Sequence, residues 1–271
     1  MTRLLVLDSG LGGLTVLSEI RRTLPGAEIL YVADDAYFPY GALAEDALVA
    51  RVSALAVGLA DERRPDAVVI ACNTASTLVL DPLRARLAAP VVGTVPAIKP
   101  AAAASRTKRF SVLATPGTVA RDYTHGLIAM HAAGCTVTLV AAPALAAHAE
   151  AELAGTPVPD ATLAAAIAPC FVEAQGARTD AVVLACTHYP LLLERFVRLA
   201  PWPVAWLDPA PAIARRVASL VGTGKGTGTG IGMGTGAPPP GPAAIHFTSG
   251  RPPSPALARA LAARGLTLLD G

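Results

Sequence analysis

Charged residues are scarce in this chain of 271: Asp, Glu, Lys and Arg together make up 15% of it, where soluble domains carry roughly 25%. Their balance leaves a net charge of only +2, which gives no electrostatic footprint for nucleic acid or an anionic membrane surface. Long apolar runs are missing too, although the mean hydropathy is +0.49. The longest, residues 135–147, is interrupted by Pro143 and two threonines and closed by His148, short of the roughly 20 residues of a spanning helix. The first strand-like run stops in Asp8-Ser9-Gly10, where a secretory signal would extend its apolar stretch, so a cytoplasmic location is expected.

Lysine is rarer still. Lys99 stands before a proline, Lys108 in a basic run and Lys225 in a Gly/Thr stretch. None is placed as the Schiff-base partner of a pyridoxal cofactor, so proton chemistry without a cofactor is expected. The four cysteines, Cys72, Cys135, Cys170 and Cys186, form no C-x-x-C pair and no metal-like cluster with histidine. That spacing argues against a disulfide framework and against a metal site.

Hydrophobic residues, by contrast, reach 53%, enough for one large domain or two ordinary ones. Short β-branched or leucine-rich runs that end in turn residues alternate with Ala/Leu/Arg segments of helical period, the pattern of an α/β fold with parallel strands. Strands are expected at residues 4–7, 28–32, 67–71, 91–93, 110–114, 136–140, 181–185 and 204–207. Helices are expected at 12–23, 43–62, 76–87, 121–133, 161–175 and 189–199. Residues 223–242, rich in Gly and Thr and then in Pro, have little to bury and read as a flexible surface loop. Within them Gly222-Thr-Gly-Lys-Gly lacks the strand-to-helix setting of a phosphate loop.

The chain also repeats itself. Asp66-Ala-Val-Val-Ile-Ala-Cys72 matches Asp180-Ala-Val-Val-Leu-Ala-Cys186 at six of seven positions, 114 residues apart, and Arg3-Leu-Leu-Val-Leu matches Arg109-Phe-Ser-Val-Leu at an offset of 106. Two matches in the same order suggest two related α/β halves. Each half then delivers a cysteine to the carboxyl end of a strand just before a helix, where open α/β sheets bind ligands. A helix N-terminus there draws a thiol pKa down from about 8.5. Halves related by a pseudo-twofold axis would set the thiols across a cleft, and two opposed acid/base groups are what inversion of a carbon centre requires. The plain alternative is that Cys72 and Cys186 are small buried hydrophobes, which is the reading kept for Cys135 and Cys170.

The segment Asp8-Ser9-Gly10-Leu-Gly12-Gly13 follows the first strand and opens a helix, so its N–H groups suit a carboxylate. Thr15 stands where a dinucleotide fingerprint needs glycine, which argues against that cofactor. Asp8 reads either as a turn cap or as an assistant to one thiol. His188 reads either as a residue bonded to backbone or as a partner that orients a thiol or shares its proton.

Taken in order, Leu7-Asp8-Ser9-Gly10-Leu-Gly12-Gly13-Leu-Thr15-Val16, Phe38-Pro39-Tyr40-Gly41, Ala71-Cys72-Asn73-Thr74-Ala75 and Ala185-Cys186-Thr187-His188-Tyr189-Pro190-Leu191-Leu192 resemble the signatures of the glutamate racemase family, within the aspartate/glutamate racemase superfamily. The resemblance spans about residues 3–207, and His246-Phe-Thr-Ser-Gly250 is similar to the family's late strand and turn. It implies an α/β fold of two pseudo-symmetric domains with largely parallel sheets, residues 1–97 plus 207–271 and residues 98–206, with the active site in the interdomain cleft. It further implies a homodimer that interconverts L- and D-glutamate for peptidoglycan through the thiols of Cys72 and Cys186, with no cofactor and no metal.

By the same resemblance Asp8, Ser9, Tyr40, Gly41, Asn73, Thr74, Thr187 and His188 line the substrate site, joined by Thr115 and Thr118 of the second domain. Asp8 and His188 would assist the thiols on their own sides, and Glu150 matches an acidic residue near the second thiol. The Cys72 side would take the proton of D-glutamate and the Cys186 side that of L-glutamate. Ala33-Asp34-Asp35 replaces the family's Gly-Asp-Thr and adds a carboxylate, either near the anionic substrate or toward solvent. Residues 142–149, ahead of Glu150, are smaller than in the family, and an extension of the kind seen in peptidoglycan-precursor-activated members is not expected ahead of the first strand. Aspartate racemase or another amino-acid racemase of the superfamily is one alternative, and a non-catalytic, two-lobed amino-acid-binding protein is the other.

Overall fold

The computed structural model describes residues 1–222 and 241–269. The Gly/Thr stretch read as a loop, with its glycine-lysine motif, falls largely on residues 223–240, outside the described residues. The chain begins with β1 (Arg3–Asp8), α1 (Leu14–Thr23), β2 (Glu28–Ala33), α2 (Glu45–Arg63), β3 (Ala67–Ile70), α3 (Asn73–Arg86) and β4 (Val91–Gly93). It crosses to a second unit with α4 (Ile98–Ala104), β5 (Arg109–Ala114), α5 (Pro116–Ala120), α6 (Asp122–His131), β6 (Thr136–Ala141), α7 (Leu145–Leu153) and α8 (Asp160–Ile167). A ribbon of β7 (Glu173–Ala174) and β8 (Ala177–Arg178), then β9 (Ala181–Ala185), α9 (Leu193–Leu199) and β10 (Ala205–Leu207), complete that unit. The return path is α10 (Ala210–Gly222), β11 (Ala243–Phe247), α11 (Pro255–Ala263) and β12 (Thr267–Leu268).

These strands form two sheets, β12-β11-β2-β1-β3-β4 and β10-β9-β5-β6, in which every pairing is parallel. Parallel sheets are covered on both faces, which explains why their strands read as nearly unbroken apolar runs. Along β1, Leu4 and Val6 face the core under α1 and α10, whereas Leu5 and Leu7 face the core under α2 and α3. Along β9, Val182 and Leu184 face one core and Ala181, Val183 and Ala185 the other. Each fully buried leucine or isoleucine in these layers contributes about 1.5–3 kcal/mol.

The internal repeat is structural. Leu4 pairs with Ala67 and Val6 with Val69 in the first sheet, and Phe110 pairs with Ala181 and Val112 with Val183 in the second, so both halves share one register. The acidic residue ahead of each repeated strand anchors it: Asp66 accepts from the Arg3 N–H, and Asp180 from the Ser105 hydroxyl and the N–H groups of Arg106 and Thr107.

Several expected boundaries shift. The helix expected over 121–133 is α6 at 122–131, and an unexpected short helix, α5, precedes it, divided from it by the extended backbone at Arg121. The helix expected over 161–175 stops at Ile167, before a 3-10 turn that contains Pro169. The one expected over 189–199 opens as a 3-10 turn at Tyr189–Leu192, and α3 starts three residues earlier than expected, at Asn73. Leu207 pairs with Val183 in the second sheet, although the expected division put it with the first unit. The 13-residue α10 packs on α1 and returns the chain to the first unit.

Candidate active site

Strand β3 ends two residues before Cys72, and the chain turns there into α3 with Cys72 as its N-cap residue. The Cys72 side chain is buried, with its sulfur 3.8 Å from the Ser9 hydroxyl. Burial and the neighbouring carboxylate of Asp8 push this thiol up, against the weaker pull of the Ala75 N–H. The sequence-based expectation that a helix N-terminus lowers its pKa is therefore overturned, since one backbone donor does not offset removal from water.

Asp8 ends β1 and is itself 1% exposed. Its Oδ2 accepts from the Gly13 N–H at 2.8 Å and lies 3.2 Å from the Tyr31 hydroxyl, while Oδ1 is buried without a partner. Burial holds this carboxyl above its usual range, countered in part by His188. Asp8 thus caps the glycine turn, as the first of its two sequence readings has it, and its charge raises the pKa of the first thiol.

On the opposite side β9 delivers Cys186, whose sulfur is 3.7 Å from Nδ1 of His188. Nε2 of that ring is 2.9 Å from Oε1 of Glu150, a residue of α7, and 3.1 Å from the Gly12 N of the first unit. Burial alone would lower the His188 pKa, yet hydrogen bonds to Cys186 and Glu150 outweigh it and hold the ring well above its usual value. Glu150 also accepts the Leu11 N–H at 2.8 Å. Two N–H groups of the turn expected to suit a bound carboxylate, those of Leu11 and Gly13, are thus occupied by the protein's own Glu150 and Asp8.

Both cysteines open onto one cavity of about 220 Å³ between the carboxyl ends of the two sheets. Of the residues expected in the site, Ser9, Tyr40, Gly41, Cys72, Asn73, Thr74, Thr115, Cys186, Thr187 and His188 line it. Asp8, Glu150 and Thr118 stand behind this lining: Thr118 is fully buried and its hydroxyl is 3.1 Å from that of Thr115, which in turn is 3.0 Å from that of Thr74. Asp35, the additional carboxylate, accepts from the Ser249 N–H and hydroxyl and stays off the cavity wall.

Sequence reasoning missed Phe38, Pro143 and Ala146 as wall residues, and it missed two buried positioning groups. Asp34 accepts from Nε and Nη2 of Arg51, the Thr248 hydroxyl and the Tyr40 hydroxyl, and together these donors outweigh burial to hold it below the usual carboxylate range. Tyr31, fully buried, donates to the Gly10 carbonyl at 2.8 Å beside Asp8. A larger cavity of about 520 Å³ lies behind α3 between Arg84 and Arg216, but neither thiol reaches it.

The carboxyl ends of the two sheets meet at one small cavity, to which each half contributes a cysteine. The chain matches the model of the Asp/Glu/hydantoin racemase family over residues 9–217 and belongs to that family. It is 58% identical over 219 residues to the glutamate racemase of Brucella anthropi, which covers 80% of this chain and 79% of that protein. Among solved structures it is similar to Escherichia coli glutamate racemase in complex with L-glutamate and the activator UDP-MurNAc-Ala, with a TM-score of 0.86, 36% identity, and 99% and 98% of the two chains covered. It is also similar to Thermus thermophilus glutamate racemase in complex with β-chloro-D-alanine, with a TM-score of 0.75, 30% identity, and 100% and 96% covered.

Proposed function

We propose that the protein is a glutamate racemase that interconverts L- and D-glutamate by proton exchange at Cα between Cys72 and Cys186, without a cofactor. The observation that carries this reading is the pair of thiols at equivalent strand ends, one from each half, on a single cavity. The identity to curated glutamate racemases supports the choice of substrate.

In each turnover one thiolate takes the Cα proton and becomes a thiol, and the resulting carbanion takes a proton from the opposite thiol, which is left as the thiolate. The proton count is unchanged, and the enzyme ends poised for the reverse reaction. Burial and Asp8 raise the Cys72 pKa, so its thiolate is a stronger base toward a weakly acidic C–H but a scarcer one near neutral pH. Among the described residues no lysine or arginine lines the cavity. The two carboxylates of glutamate are then held by hydroxyls of Ser9, Thr74, Thr115 and Thr187, by N–H groups at the start of the 14-residue α3, and by the His188 side. Asp8 assists Cys72, and His188, set by Glu150, assists Cys186; the first side takes the proton of D-glutamate and the second that of L-glutamate.

The reading includes residues 1–97 plus 207–271 and residues 98–206 as two domains that form the cleft. It also includes a cytoplasmic homodimer that supplies D-glutamate for peptidoglycan, and the four free cysteines suit a reducing compartment. Among the described residues no helix is long and apolar enough to cross a membrane. Chiral chromatography after separate incubation with L-glutamate and L-aspartate tests activity and substrate together. D-Glutamate from the first and nothing comparable from the second is expected, and D-aspartate as the faster product would transfer the assignment to aspartate racemisation.

A further inference from the structure

Thr15 lies in the first turn of α1, outside the cavity, yet it meets the second unit beside its thiol. Its one hydroxyl proton is shared between the Gly12 carbonyl at 3.0 Å and, across the seam, the carbonyl of Thr187 at 3.1 Å, the residue between Cys186 and His188. A neighbour reaches across the same seam, the Leu11 N–H donating to Glu150, and the Gly12 N lies 3.1 Å from Nε2 of His188. The seam has no slack, because a Cβ on Gly12 would lie 2.3 Å from Nδ1 of His188 and 2.6 Å from its backbone N. The turn that carries the second thiol is therefore braced by the opposite half of the molecule.

We propose that Thr15 is a positioning residue for the Cys186 side: its hydroxyl pins the Thr187 carbonyl to α1, so that Cys186 and His188 are set for proton transfer only when the two halves are docked. This rests on the two-thiol reading above. Its consequence is one-sided. Loss of the hydroxyl raises the barrier for transfer at Cys186 and leaves transfer at Cys72 in place.

Thr15→Val removes the donor and keeps the branched shape, Thr15→Ala removes it a second way, and Thr15→Ser keeps it. For these variants and the wild type, turnover from each enantiomer, the primary isotope effect with Cα-deuterated L- and D-glutamate, and the melting temperature are measured. Expected for both hydroxyl-free variants is a loss of roughly three- to tenfold in turnover, the size of one neutral hydrogen bond. The isotope effect from L-glutamate should rise, since transfer to Cys186 becomes more limiting, and that from D-glutamate should fall, with Thr15→Ser restoring both. A lower melting temperature with both isotope effects unmoved would overturn the Thr15 role alone. A wild type that racemises neither enantiomer would overturn the two-thiol reading and this inference with it.

Discussion

The two halves share a register but not their residues, and the differences fall on the groups nearest the thiols. By the repeat offsets, Cys72 corresponds to Cys186 and Ser9 to Thr115, whereas Asp8 corresponds to Ala114 and Thr74 to His188. One thiol therefore works beside a buried carboxylate and the other beside a histidine whose proton is held tightly. His188→Asn should depress turnover from L-glutamate more than from D-glutamate, with KM compensating because mirror-image substrates fix the equilibrium constant at unity. Equal loss of turnover in both directions would contradict the assignment of sides. The same histidine gives a pH prediction. Its folded-state pKa lies above the unfolded value near 6.5, so the stability it contributes is full below that pH and is lost as pH rises through the folded value. The melting temperatures of the wild type and His188→Asn should converge toward alkaline pH; a gap that stays constant would show that the ring's proton contributes nothing. The repeat made the cysteines legible, but not Asp34 or Tyr31, whose partners Arg51, Thr248 and Gly10 come from separate segments that only the fold brings together.

At the scale of elements, the glycine turn after β1 works as a contact surface between the halves. A Cβ at Gly12 would strike both the ring and the backbone of His188, whereas at Gly10 it would meet side chains only, the Glu150 carboxylate at 2.1 Å and the Phe38 ring at 2.9 Å. Gly12→Ala should thus cost roughly 100-fold in turnover, the scale of a misplacement of about 1 Å, and Gly10→Ala distinctly less, as read by kinetics on folded protein. The reverse order would mean that His188 is free to shift. A second element, the pair of 3-10 segments over residues 35–42, of which Phe38 to Ala42 line the cavity, is moored by Asp34 through Tyr40 and Arg51. Asp34→Asn leaves the partly exposed Arg51 without its carboxylate and should lower unfolding stability by about 3 kcal/mol, measured by urea titration; a loss under 1 kcal/mol would show the mooring to be dispensable. Strand ends were readable to within a residue or so, as at 67–71 against β3, because buried parallel strands are short apolar runs with polar stops. Helix α7 was not, since Leu145-Ala-Ala-His-Ala-Glu-Ala-Glu-Leu153 has little apolar periodicity and no side-chain cap, and so Glu150 was reached only through resemblance.

At the scale of the whole molecule, the fold does one thing for the chemistry: it repeats a strand that ends in cysteine and sets the two copies on one cavity. The repeat was visible because six of seven residues coincide, whereas the return of residues 207–271 to the first unit, through α10, β11 and α11, was reached only through the resemblance. Two bases on opposite faces make a claim about the origin of the incoming hydrogen, and one measurement addresses it. In deuterated water, each enantiomer of glutamate is turned over briefly and the Cα position of product and of remaining substrate is read by mass spectrometry. The two-thiol account predicts solvent deuterium at Cα of the product in both directions, with the unreacted substrate still carrying its original hydrogen. Product that retains the original hydrogen in early turnover would mean a single base carrying the proton from face to face, and would contradict it.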